Sequence, residues 1–374
     1  MKIIVLSANS CWYLYNFRSS TIKKLIKEKY KVVCVAPKDS FYKDLISLGC
    51  ELIFITFESK SLNPINNIYL IIKFWKIFKK IKPFIIFNFT IKNNIFGSFA
   101  ASLLNIPVIN NVSGLGTSFI NNNLLSKIVL LLYKLSQKKV LYLYFQNEDD
   151  KEYFVNQKII LIDKAKILPG SGVNTTRFQP KLISNKRADN ILRFFYFGRF
   201  IYDKGLLELI QAFEKIKKNY PNCELWLAGA IDPKNKTSIS QKTIDSWGQI
   251  TGVTIYNQTN MIENLLSQVD CVVLPSYREG MPKSLLEACS MELPVVATNV
   301  PGCRSIIEDG FNGFLFSPKD TESLVEALKK IIDMPIKIRK EMGYNGRKLI
   351  KQKFSEEIVV KEILKNIQEV KLLN

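Results

Sequence analysis

Glu279 and Glu287 stand on either side of a helix start, in the run Glu279-Gly280-Met281-Pro282-Lys283-Ser284-Leu285-Leu286-Glu287, directly after the apolar Cys271-Val272-Val273-Leu274. The β-branched run between Asp270 and Pro275 predicts a buried strand, and Leu285, Leu286 and Ala288 after a Pro-containing start predict a helix. The segment between them is then a loop at the carboxyl end of a strand, where open α/β sheets bind ligands. Two carboxylates there suit a polyhydroxyl ligand, because each accepts hydrogen bonds from neighbouring hydroxyls. The same spacing also fits a plain helix start, with one Glu at the dipole and the other in solvent. Upstream, the apolar Phe194-Phe195-Tyr196-Phe197 ends in Gly198-Arg199, and Phe200-Ile201-Tyr202-Asp203-Lys204-Gly205 leads into the helical Leu206-Leu207-Glu208-Leu209-Ile210. Arg199 and Lys204 therefore flank one tight turn before a helix N-terminus. Such a turn neutralises a diphosphate and stabilises its charge as it leaves.

The elements that position these groups repeat in two blocks. In the first half Ile3–Leu6, Val32–Val35, Leu52–Ile55, Phe84–Phe87, Val108-Ile109 and Leu141–Tyr144 alternate with helix-length segments. The pattern restarts with Phe194–Phe197, Leu225–Leu227, Val253–Ile255, Val272–Leu274 and Val295–Ala297. Continuous apolar runs separated by helices imply parallel sheets covered on both faces, and 374 residues suit two domains better than one core. The expected division is 1–175 and 176–374, with a last helix over about 356–374 that either packs on the second domain or crosses back to the first.

The formal charge of +20 is uneven, with +14 on residues 1–176 and +6 on the remainder. Lys73, Lys76 and Lys80 recur at helical spacing within an aromatic and aliphatic stretch, and Lys127, Lys134, Lys138 and Lys139 surround a second apolar run. Both stretches fit either an anionic lipid surface or the solvent face of a core helix. Neither reaches the roughly 18 apolar residues of a spanning helix, and the amino terminus enters a strand instead of a secretory leader. Seven scattered cysteines fit a reducing cytoplasm. The chain has no histidine, no Cys-x-x-C spacing and no compact Asp/Glu cluster, so imidazole acid–base chemistry is excluded and no metal site is expected.

Gly198-Arg199, Lys204-Gly205, Glu279 with Glu287, and Asn299-Val300-Pro301-Gly302, in this order, resemble the nucleotide-sugar half of the retaining glycosyltransferases of family 4. The segment Gly172–Pro180 is similar to the one that opens their second domain. Asn16-Phe17-Arg18, Thr90-Ile91-Lys92-Asn93-Asn94-Ile95-Phe96-Gly97 and Val112-Ser113-Gly114-Leu115-Gly116-Thr117 resemble the bacterial branch that builds O-antigen and capsule on undecaprenyl diphosphate. The resemblance implies the α/β GT-B fold, two Rossmann-like domains facing a central cleft, with the last helix crossing back to the first. It implies that Arg199 and Lys204 hold the donor diphosphate, Glu279 the transferred sugar and Glu287 the ribose, with Gly198, Gly280, Met281, Pro282, Lys283 and Ser284 around the donor. Asn16, Arg18, Thr90, Lys92, Asn93, Gly114 and Gly116 fall on the acceptor or sugar side. Gly229 and the segment Gln258–Met261 are expected near the base, and Lys283 and Arg304 are cations suited to a uronate.

The implied activity is a metal-independent, cofactor-free, retaining transfer. It moves N-acetylgalactosamine, or a related amino sugar or uronic acid, from a UDP-sugar to an undecaprenyl-diphosphate-linked saccharide. The implied place is the anionic cytoplasmic face of the inner membrane, without nucleic acid. A sugar-nucleotide epimerase of the same architecture is the alternative enzyme, but its acid–base histidines are lacking here. A non-enzymatic basic protein for membrane or nucleic acid is a further alternative, and it leaves the ordered Arg199, Lys204, Glu279 and Glu287 unexplained. Two departures from the family stand out. Its first-domain histidine is replaced within Phe89–Asn94, where Thr90 or Lys92 takes its place, and the Gly-rich turn after the first strand is replaced by Ser7–Trp12. Asn93 or Asn94 is also a candidate helix N-cap.

Overall fold

The computed structural model describes residues 1–57, 63–114, 124–180, 190–232, 235, 237–257, 259 and 261–373. They divide into two compact units, Met1–Ser171 with Glu356–Asn374, and Gly172–Ser355.

The first unit runs β1 (Ile3–Ser7), α1 (Cys11–Lys27), β2 (Lys31–Ala36), α2 (Tyr42–Ser47), β3 (Glu51–Phe54), α3 (Pro64–Ile81) and β4 (Ile85–Phe89). It continues with a π-helical turn (Asn93–Gly97), α4 (Ser98–Ser102), β5 (Val108–Val112), α5 (Leu124–Ser136), β6 (Tyr142–Phe145), α6 (Glu148–Asn156) and β7 (Ala165–Ile167). Among the described residues the sheet has the order β3-β2-β1-β4-β5-β6-β7, with every pairing parallel. Strand alternation sorts side chains to two cores. Val5, Val33, Val35 and Ile86 meet Leu70, Phe74 and Phe78 of α3 on one face. Ile4, Leu6, Val32 and Cys34 meet Leu14, Ile22 and Leu25 of α1 on the other. The solvent-face alternative for the lysines of α3 is thus half right, since Phe74 and Phe78 are core while Ile65, Ile68, Tyr69 and Ile72 are exposed.

The second unit runs β8 (Leu192–Phe197), a 3-10 turn (Tyr202–Lys204), α7 (Leu206–Asn219), β9 (Cys223–Gly229), α8 (Gln241–Gly248), β10 (Val253–Asn257) and α9 (Ile262–Leu266). It then adds β11 (Cys271–Leu274), α10 (Lys283–Ser290), β12 (Val295–Thr298), α11 (Pro301–Arg304), β13 (Gly313–Phe316), α12 (Thr321–Asp333) and α13 (Ile336–Lys353). The order is β10-β9-β8-β11-β12-β13, again parallel throughout the described strands.

The boundary expected at 175 lies inside the second unit. The Val173 N–H donates to Phe354 O at 3.0 Å, and the buried Phe178 carbonyl accepts from Ser290 Oγ at 2.5 Å and Arg347 Nη1 at 2.9 Å. Placing the tail in 176–374 is likewise corrected, because α14 (Glu356–Leu373) belongs to the first unit. Val359, Ile363, Ile367 and Val370 are buried in the core that α1 lines, each contributing about 1.5–3 kcal/mol by burial. Tyr144 Oη donates to Glu362 at 2.8 Å and accepts from Asn366 Nδ2 at 2.9 Å, which fixes the helix in register.

Candidate active site

In each sheet the chain leaves the middle in opposite directions, at β1/β4 in the first unit and at β8/β11 in the second. Such switch points open a crevice beyond the strand ends. In the second unit Arg199 and Lys204 follow β8 and Glu279 follows β11, so they straddle it. Lys204 Nζ is ion-paired with Glu279 Oε1, their side chains 19% and 12% exposed. Arg199 is 59% exposed and meets Asp232 Oδ2 at 3.3 Å. Glu287 is 8% exposed, which disposes of the solvent-facing alternative, and Lys283 Nζ stands 3.8 Å from it, one helical turn away.

The loops are locked together by backbone contacts that only glycine permits. Gly205 has φ +67°, and a Cβ there would lie 2.0 Å from Pro275 O. This close approach seats the post-β8 turn on the post-β11 loop, joined further by Tyr277 N–H donating to Asp203 O at 2.9 Å. A Cβ at Gly302 would lie 2.5 Å from Gly280 O, and its N–H donates to Glu279 O at 3.2 Å, so Asn299–Gly302 buttresses the carboxylate loop. Neither α7 nor α10 has a side-chain cap hydrogen bond at its N-terminus among the described residues, with Gly205 and Pro282 at the cap positions. Both helix starts therefore direct backbone donors and positive dipole ends outward, which favours anions. Buried Tyr196 donates to Arg199 O at 2.8 Å, and burial, then the Glu279 charge, pushes its phenol well up.

Of the other donor-side expectations, Gly198, Gly280, Met281, Pro282, Lys283 and Ser284 line these same two segments. Gly229 packs its α-carbon against Gly198, where a Cβ would meet Gly198 O at 1.9 Å. Arg304 is exposed beside Asn299, 3.4 Å from its Oδ1. Gln258 lies outside the described residues.

In the first unit Thr90 follows β4 with φ 97°, a left-handed conformation unusual for a β-branched residue. Its hydroxyl donates to Asn93 Oδ1 at 2.9 Å, and Asn93 Nδ2 donates to Ser7 Oγ at the end of β1, at 2.6 Å. The Ser7–Thr90–Asn93 chain thus spans the switch point. The N-cap expectation for Asn93 and Asn94 is corrected: both lie inside the π-helical turn and use their amides for tertiary bonds, Asn94 Nδ2 reaching Asn111 O at 2.9 Å. Lys92 Nζ donates to Asn67 Oδ1 at 3.2 Å, and Asn16 Nδ2 to Trp12 O of its own helix at 3.0 Å. Arg18 is fully buried, stacked 4.1 Å over Phe89 and donating from Nη1 to Gly170 O at 3.2 Å. Its Nε and Nη2 are buried without partners among the described residues. Gly114 has φ 111°, and Gly116 lies outside the described residues.

Sequence reasoning passed over the amides behind this edge. Asn88 Nδ2 donates to Asn110 Oδ1 at 3.0 Å, and Asn110 Nδ2 donates to Ser98 Oγ at 2.8 Å and Gln137 Oε1 at 2.5 Å. Both side-chain polar atoms of Asn111 are buried and unpartnered among the described residues, a state that costs about 1–3 kcal/mol per group. A strained Thr and unsatisfied amides at one switch point are the marks of a site built to meet a ligand. The available signal was Asn inside apolar strands, in Phe87-Asn88-Phe89 and Ile109-Asn110-Asn111-Val112.

Two doubly wound parallel units, each with polar groups gathered at its switch point, define a glycosyltransferase of the two-Rossmann, GT-B class. Residues 180–349 match the family model described as glycosyl transferases group 1, and residues 2–147 match the one described as glycosyl transferase 4-like. The chain belongs to the family 4 glycosyltransferases. It is 25% identical over 350 residues to the capsular polysaccharide biosynthesis glycosyltransferase CapM of Staphylococcus aureus, covering 91% of this chain and 90% of that protein. It is 27% identical over 366 residues, 94% of each chain, to the N,N'-diacetylbacillosaminyl-diphospho-undecaprenol alpha-1,3-N-acetylgalactosaminyltransferase of Campylobacter jejuni. Among solved structures, HepE of Anabaena in complex with UDP superposes with a TM-score of 0.80 at 16% identity, covering 99% of this chain and all (100%) of that one.

Proposed function

We propose that this chain transfers a sugar from a UDP-sugar, with retention at the anomeric carbon and without a metal, to a polyprenyl-diphosphate-linked saccharide in surface-glycan synthesis. The observation that carries the reading is the Lys204–Glu279 pair at the β8/β11 switch point, between two helix starts without side-chain caps. Lys204, Arg199 and the helix N-termini bind the donor diphosphate and offset its growing charge. Glu279, once Lys204 turns to phosphate, accepts hydroxyls of the transferred sugar, and Glu287 accepts those of the ribose. The bond from the anomeric carbon to phosphate oxygen breaks, the acceptor oxygen bonds to that carbon on the same face, and the acceptor proton passes to the leaving phosphate oxygen.

The acceptor class rests on the relatives, whose names include a diphospho-undecaprenol N-acetylgalactosaminyltransferase and an Escherichia coli UDP-Gal:alpha-D-GlcNAc-diphosphoundecaprenol galactosyltransferase. N-acetylgalactosamine, or a related amino sugar or uronic acid, is the proposed sugar. The enzyme works on the anionic cytoplasmic face of the inner membrane. No helix among the described residues is long and apolar enough to cross a membrane. Instead α5 exposes Leu124, Ile128, Leu131 and Leu135 at helical spacing beside exposed Lys127, Lys134 and Lys138, a face suited to anionic lipid.

The test is transfer from UDP-N-acetylgalactosamine and competing UDP-sugars to a synthetic polyprenyl-diphosphate saccharide, with and without EDTA, the product's anomeric configuration being read by NMR. An α-linked product formed equally in EDTA is expected. A β-linked product, metal dependence or preference for a neutral hexose overturns the corresponding part.

A further inference from the structure

Beside the first unit's switch point lies a pocket of about 560 Å³ whose lining includes Phe57, Asn66, Tyr69, Leu70, Lys73 and Lys92. Its volume is within the range of small-ligand sites. Lys73 is held from α3 by Thr56, donating to its O at 2.9 Å and its Oγ1 at 3.0 Å. Lys92 comes from the segment between Thr90 and Asn93 and donates to Asn67 Oδ1 at 3.2 Å. These contacts are to neutral oxygens, which orient the ammonium groups without cancelling their charge. The described lining contains no carboxylate.

Tyr69 has a second membership. With Ile65, Ile68 and Ile72 it forms an exposed apolar stripe on α3, the spacings of three and four residues placing all four on one face. An apolar track therefore leaves the pocket at Tyr69. Two cations beside aromatic and aliphatic walls, with an apolar exit, match a ligand that carries a diphosphate on a hydrocarbon chain. A soluble sugar phosphate has no use for the track, and a plain lipid has none for the lysines.

We propose that this pocket binds the diphosphate and the first isoprene units of the acceptor, Lys73 and Lys92 holding phosphate oxygens and Tyr69 with Phe57 packing on the prenyl chain. The assignment rests on the lipid-linked acceptor proposed above and gives it a place in the fold.

The test is calorimetric titration of the full chain with farnesyl diphosphate, in saturating UDP so that the donor diphosphate site is filled. Saturable binding is expected, weakened about tenfold by Lys73→Gln and by Lys92→Gln, the scale of one charge-assisted hydrogen bond. Lys73→Arg should keep most of the affinity, which separates loss of charge from loss of fold. Inorganic pyrophosphate should bind more weakly with the same lysine dependence, and farnesol should not bind. Tyr69→Ser should weaken farnesyl diphosphate and leave pyrophosphate unchanged. Equal affinity for pyrophosphate and farnesyl diphosphate would mark a free-phosphate site, and insensitivity to both lysines would place the ligand elsewhere; either overturns the proposal. UDP binding, titrated alone, keeps the two readings apart. A chain that binds UDP but not farnesyl diphosphate loses this pocket and keeps its donor site, whereas lysine-dependent farnesyl diphosphate binding without UDP binding does the reverse.

Discussion

Lys204 and Arg199 carry the same charge after the same strand, yet their settings predict unequal losses. An ammonium about 4 Å from a phosphate charge is worth about 4 kcal/mol at an effective dielectric of about 20 and about 1 kcal/mol in water. Lys204, 19% exposed, belongs nearer the first regime, and Arg199, 59% exposed, nearer the second. Lys204→Met should therefore cost about 2–4 kcal/mol of transition-state stabilisation, roughly 30- to 1,000-fold in kcat/KM, against about fivefold for Arg199→Met. Removing Lys204 also strands the Glu279 carboxylate, 12% exposed, without its ammonium. The free protein should lose about 2 kcal/mol, or about 4–8 °C in Tm. Adding Glu279→Gln to Lys204→Met removes the stranded charge, so Tm should recover while activity stays low. The assay is initial-rate kinetics with varied donor, paired with thermal denaturation with and without UDP. An Arg199→Met loss equal to or larger than that of Lys204→Met, or a double variant that regains activity but not Tm, would refute the reasoning.

Glu287 is buried at 8% exposure, so Glu287→Gln should weaken UDP about tenfold or more while 2′-deoxy-UDP, lacking one hydroxyl partner, changes little; titration of both nucleotides checks this. Gly205→Ala places a Cβ 2.0 Å from Pro275 O at φ +67°, and about 3 kcal/mol of strain and overlap should lower the Tm of the second unit by about 6–12 °C. Burial lifts the Cys289 thiol from 9.0 to about 12. Burial first, then the Asp39 charge, lifts Cys11 to about 11. A folded-state pKa raised above the unfolded one gives stability that is complete below pH 9 and is lost as pH climbs to 11–12. Tm should thus fall progressively above pH 9, by about 1.4 kcal/mol per pH unit for Cys289, and Cys289→Ala should flatten the slope; a Tm unchanged between pH 8 and 11 would contradict it.

Where a segment's fate was decided by its own residues, the sequence was readable. The Ile- and Val-rich strands and the strand–turn–helix junctions holding Arg199, Lys204 and Glu279 are local features. Two short edge strands were passed over: β7, Ala-Lys-Ile, and β13, Gly-Phe-Leu-Phe, are too brief to show a period and depend on one neighbour each. Pairings between distant positions were also out of reach. Lys204 and Glu279 are 75 positions apart, and nothing in either motif says that the cation spends the free state on the carboxylate. Thr90 was singled out because it stands where relatives carry histidine, but its φ of 97° is a property of the fold that no residue type announces. Asn88, Asn110 and Asn111 were hidden by their neighbours, since one amide in an apolar run barely disturbs a strand reading.

The grouping of Glu356–Asn374 with Met1–Ser171 has a consequence for how the protein is made. During synthesis the first unit emerges early, but the wall formed by Val359, Ile363, Ile367 and Val370 is the last part of the chain to leave the ribosome. Until then the hydrophobic side lined by Leu14, Ile22 and Leu25 waits uncovered while all of Gly172–Ser355 is translated and folds. A nascent chain stalled short of residue 356 should hold a finished second unit and an unfinished first one. Premature termination near the end of the message is therefore a lesion of the amino-terminal unit, and quality control would detect it there.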